Sequence, residues 1–204
     1  MLKTTTLAAA TAITLALGFP AAFAAGTTEL PEANAAPTPA AINAFQNAKT
    51  TLPQAIQAAE QHSNGKAFDV SFTDQGGTPV YMIDTFHNNT VWQGEVDAGT
   101  GKVVGQGKTI PESELDQEDK AELATLSNAK TSLSEAVQNA EQKFGGKAMA
   151  AELEKTDNGQ VSYQLAVVKN GTVQHASVNP DNGEVAALPV ESGSSTEPAS
   201  STRK

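Results

Sequence analysis

Two stretches of this chain carry one order of apolar and polar positions. Leu52, Ala55, Ile56 and Ala59 recur at helical spacing, and Leu133, Ala136, Val137 and Ala140 restate the stripe, which predicts two amphipathic helices with narrow apolar faces. Thr51 with Gln54, and Ser132 with Glu135, form capping-box pairs, and Pro53 falls in the first turn, where amide hydrogens lack intrahelical partners. Gly65 and the Gly145-Gly146 pair mark the helix ends. Alternation follows at once: Phe68, Val70 and Phe72 share a strand face, as do Met149, Ala151 and Leu153. Beyond Gly76-Gly77, or Asp157-Asn158-Gly159, a second strand carries Tyr81 and Ile83, or Tyr163 and Leu165. Asn88-Asn89 and Asn170-Gly171 predict tight hairpins into third strands, from Val91 to Val96 and from Val173 to Val178. Short fourth strands are expected at Val103-Val104 and Val185. A helix followed by an antiparallel meander of three to four strands is an α+β module, not a parallel βαβ unit.

The likeness extends to residue identities. Asn47-Ala48-Lys49-Thr50 returns as Asn128-Ala129-Lys130-Thr131, Ala59-Glu60-Gln61 as Ala140-Glu141-Gln142, and Gly65-Lys66-Ala67 as Gly146-Lys147-Ala148, at a spacing of 81 residues. After a one-residue shift, Tyr163, Val173, Val178 and Gly183 answer Tyr81, Val91, Val96 and Gly101. One supersecondary module is therefore duplicated, in residues 40–106 and 116–190, with a linker at 107–115. Ahead of each core helix lies a further apolar pair, Ile42 with Phe45 and Leu123 with Leu126, and the second pair predicts a helix entering module two. Residues 25–39, rich in Ala, Pro, Thr and Glu, read as a flexible leader, and the Ser-rich residues 191–204 as a disordered tail.

The N-terminus bears on location. Lys3 precedes an apolar stretch through Leu7, Ile13, Leu15 and Leu17, then Pro20 and Ala22-Phe23-Ala24. That order predicts a signal peptide over residues 1–24, cleaved before Ala25, and a periplasmic or secreted product. The apolar run is shorter than the ~20 residues a bilayer requires, so stable membrane insertion is not expected after cleavage. Lys and Arg number 13 against 23 Asp and Glu, for a net charge of −10; such a surface repels phosphate backbones and argues against a nucleic-acid partner. With no cysteine, disulfides, thiolate metal sites and cysteine nucleophiles are excluded together.

The combination of motifs resembles the PepSY family. It consists of a capped helix bearing Ala55-Ile56 and Ala59, then Gly65-Lys66, then Tyr81, then the closing Val96-Asp97-Ala98-Gly99-Thr100-Gly101-Lys102-Val103. The second copy departs at its close, where Asn179, Asp181, Asn182 and Glu184 stand, but keeps Gly183 and Val185. The resemblance implies two tandem modules and a role in modulating or inhibiting a peptidase, and it carries no catalytic residue to transfer.

Chemistry-bearing side chains give little else. His62, His87 and His175 fall on a helix end, a hairpin and a strand, without metal-ligand spacing. The acidic turn Asp181-Asn182-Gly183-Glu184 lacks the ligand ladder of a calcium loop. No Gly-x-Ser-x-Gly elbow occurs. We therefore expect no catalytic residues, no metal and no cofactor. Trp92, replaced by Gln174 in the sister copy, is partly exposed if Val91 and Val96 face inward at different phases and is then the leading candidate for partner contact, together with Tyr81 and Tyr163; core packing is the alternative reading of Trp92. The favoured expectation is a non-catalytic exported module that docks on a peptidase through a sheet edge or the open sheet face. The alternative is an envelope scaffold, or a ligand or cation sensor, without a peptidase partner.

Overall fold

The computed structural model describes residues 37–156 and 159–189. The expected signal peptide, most of the leader, Asp157-Asn158 and the tail lie outside the described residues. Module one runs α1 (Pro39–Gln46), α2 (Leu52–Ser63), β1 (Lys66–Asp74), β2 (Pro79–His87), β3 (Thr90–Asp97) and β4 (Val103–Pro111). A 3-10 turn at Glu112–Glu114 leads to α3 (Gln117–Asn128), α4 (Leu133–Phe144), β5 (Lys147–Lys155), β6 (Val161–Lys169), β7 (Thr172–Val178) and β8 (Val185–Ala187).

Both core helices start as their caps predict. Thr51 N–H donates to Gln54 Oε1, and Ser132 exchanges bonds with Glu135. Their ends differ. Gly145 closes α4 in the left-handed conformation, but in module one that position is Asn64. Gly65 serves another purpose, since a Cβ there would meet Thr85 Oγ1 at 2.9 Å. Glu60 and Glu141 do not simply face solvent: each carboxylate accepts the first inward N–H of the following strand, from Ala67 and Ala148.

The two meanders join edge to edge in one antiparallel sheet of eight strands, ordered β4-β3-β2-β1-β5-β6-β7-β8. The join is β1 against β5, with Val70 opposite Ala151. These two residues are counterparts in the repeat, so the register maps onto itself when the modules are exchanged. Helices α2 and α4 lie side by side on one face, covering β1 to β3 and β5 to β7 respectively. The core between them holds Leu52, Ile56, Val70, Tyr81, Ile83 and Val96, and their counterparts Leu133, Val137, Ala151, Tyr163, Leu165 and Val178.

Two further expectations are corrected. Bulges between Ala67 and Asp69, and between Ala148 and Ala150, take Phe68 and Met149 out of the simple alternation. And β4 is no two-residue stub: it extends to Pro111, through part of the expected linker, by bulging at Gly105 and Gly107, both with positive φ. Its counterpart β8 is indeed short. The helix expected before module two is α3, and Leu123 and Leu126 are buried beside the sheet as Phe45 is in module one.

Candidate functional site

Tyr81 and Tyr163 are fully buried. Tyr81 donates its hydroxyl to Thr50 O at 2.7 Å, and Tyr163 to Thr131 O at 2.8 Å, each bond tying the second strand to the start of a core helix. The same helix start is held from the other side, because the amides of Lys49 and Thr50 share Ala98 O and those of Lys130 and Thr131 share Pro180 O. Burial raises both phenol pKa values, that of Tyr163 to about 12. They are structural latches. Neither presents a side chain to a partner at the surface.

Trp92 is only 7 % exposed, so of the two readings the core-packing one holds and the surface one is corrected. Register with Thr85 places it on the helix face of β3, where its ring lies 5.3 Å from that of His62 at the end of α2. Its Nε1 donates to Gln106 O in the β4 bulge. Gly94 and Gly107 make the floor: a Cβ would lie 2.1 Å from the indole at the first and 2.5 Å at the second. A glycine inside a strand and two more in the next were the signal for this close approach. Gln174, the counterpart, has Ala176 in place of Gly94, and among the described residues its Oε1 is buried without a hydrogen-bond partner.

The histidines stay apart, on α2, β2 and β7, and among the described residues no group of three His, Asp or Glu is arranged to hold a metal. A cleft of about 80 Å³ opens beside Phe45, Thr50, Tyr81 and Lys147.

Acidic side chains gather on the sheet face away from α2 and α4. Asp69 lies opposite Asp84 on one side and Glu152 on the other. Desolvation, then the charges of Asp84, Glu152 and Glu122, push Asp69 well above the ordinary carboxylate range. Burial raises Asp84 to about 6, opposed by the hydrogen bond from Gln93 Nε2. Burial likewise takes Glu122, in α3, to about 7, although Lys155 N–H donates to it. Sequence reasoning missed this group because cross-strand neighbours 15 and more residues apart cannot be recognised before the register is known.

The two ends of the sheet are unequal. In module one, β4 covers β3 from Thr90 to Val96. In module two, β8 covers only Ala176 to Val178, and Leu188 N–H adds one bond to His175 O.

The sequence profile described as "Peptidase propeptide and YPEB domain" (PepSY) matches residues 51–106 and again residues 130–187. These ranges cover both modules and more than half of the chain. The chain belongs to the PepSY family. Each PepSY match begins at the capped core helix, or two residues before its cap, and runs into the fourth strand. No curated protein matches the sequence. Among solved structures, a candidate lipoprotein from Clostridium difficile 630 is 21% identical, with a TM-score of 0.39, over 69% of this chain and 93% of that one. Among the described residues no helix is long and apolar enough to cross a membrane.

Proposed function

We propose that this protein is an exported, non-catalytic PepSY protein that modulates a peptidase by docking on it. The observation that carries the reading is the double match to a family described by peptidase propeptides. The packing supports it: the tyrosines that mark the PepSY pattern are spent on latching helices to strands, and the histidines lie on three separate elements. Binding without chemistry calls for surface, and an eight-stranded sheet with helices on one face has both an open face and edges to offer. Location outside the cytoplasm rests on the signal-peptide pattern of residues 1–24.

The test is to incubate the purified mature protein with periplasmic and secreted peptidases, and to recover it from an envelope extract. Slowed cleavage of a reporter substrate, with a peptidase co-purifying, is the expected result. Unchanged activities and no recovered peptidase would overturn the proposal.

A further inference from the structure

The two ends of the sheet can be compared directly, because one module repeats the other. In module one, β4 pairs Lys108 with Gln93, Thr109 with Trp92 and Ile110 with Val91, and Glu112 N–H then meets Asn89 O at 2.8 Å. In module two, β8 pairs Val185, Ala186 and Ala187 with Val178, Ser177 and Ala176. Leu188 N–H then donates to His175 O, so the register holds for one residue more. Carried onward, it sets Pro189 opposite Gln174, Val190 opposite Val173 and Glu191 opposite Thr172, and brings Ser192 to the place of Glu112. The sequence suits these places. Hydrogen-bonded and open pairs alternate along an antiparallel ladder, so the bond at Leu188 makes position 189 an open pair, whose N–H would face away from β7. Proline lacks only that group. The same allowance is used in β4, where Pro111 stands opposite Thr90. Val190 falls at the next hydrogen-bonded pair. Its apolar side chain comes to the row that Ile110 completes beside Phe86 and Val91, and whose members in module two are Val168 and Val173.

We propose that residues 190–192, which follow the last described residue, are a strap that continues β8 along the outer edge of β7 and seats Val190 beside Val173. The occupant is the chain itself because the register delivers it there: residues 190–204 leave Pro189 in line with the edge. A segment tethered so closely acts at an effective concentration on the order of millimolar, ahead of a free competitor. The strap has a consequence for partners. It closes the module-two end of the sheet to strand addition. At the other end, the outward row of β4 is broken by Gly105 and Gly107, both with positive φ. A docking protein is then left the open sheet face. The inference does not rest on the peptidase reading; it narrows where such a partner sits.

The test is amide exchange and NMR on the full mature chain, isotope-labelled, beside its Val190→Pro variant. Proline at 190 removes the N–H that would bond Val173 O, and it lies outside both profile-matched ranges, so the modules keep their fold. In the wild-type chain the Val173 amide is expected to exchange at least about tenfold more slowly than in the variant. An Hα–Hα contact between Thr172 and Glu191 is expected with it, since Cα atoms of an open pair lie about 4.5 Å apart. Equal and fast exchange in both chains overturns the proposal. So does protection of Val173 that survives Val190→Pro, because the strap would not be its source. Protection that rises with protein concentration would place a second copy on the edge, and protection that appears only with an added peptidase would place a partner there; either result also overturns it.

Discussion

The hydroxyls of Tyr81 and Tyr163 reach backbone carbonyls that would otherwise be buried against apolar side chains. Tyr163→Phe keeps the ring and removes the donor, leaving Thr131 O without it, and should lower stability by about 1–2 kcal/mol in urea unfolding. Titration sets a second residue-level expectation. Asp69, Asp84 and Glu122 keep protons in the folded chain at pH values where the unfolded chain has lost them. The native state then binds more protons, so stability falls as pH rises from about 4, the unfolded carboxylate value, to about 7. Asp97, held low by Thr100, and Glu135, held low by Ser132, act oppositely: their contribution is present above the unfolded value and lost as pH falls below it. Thermal unfolding across this range should show greatest stability near pH 4, and Asp84→Asn should flatten the decline toward neutrality. A midpoint that rises steadily to pH 7 would contradict the raised values.

Helices and turns were the legible elements. Ser132 and Glu135 announce the start of α4 because a cap is chemistry between residues three apart, and the positive φ of Asn88, Asn89 and Asn170 is what tight hairpins demand. Ser132→Ala should cost about 1 kcal/mol by losing the acceptor for Glu135 N–H, measurable as a lower urea midpoint. What escaped was the irregular part of each strand. A bulge leaves no mark on alternation until the partner strand is known, so Phe68 and Met149 were read in phase when they are not. Glycines at 105 and 107 looked like a linker and instead let β4 bend around the indole of Trp92. The same bend hides the tryptophan, whose exposure could not be decided from the phases of Val91 and Val96 while the bulge was unknown.

At the scale of the molecule, repetition could be read but assembly could not. Identical modules are compatible with two separate sheets or with one, and only the pairing of Val70 with Ala151 decides between them. Shared strands and the contact of α2 with α4 make the modules mutually dependent. Calorimetry should therefore give a single transition with equal calorimetric and van't Hoff enthalpies; two resolved transitions would show that the halves melt independently.

The self-matching register at Val70 and Ala151 has the geometry that two identical polypeptides would adopt about a dyad. Carrying both halves on one polypeptide makes their association intramolecular, so it persists at any dilution. It also frees each half from the need to stay like its twin, so that one could bury an indole under a long fourth strand while the other kept a short one.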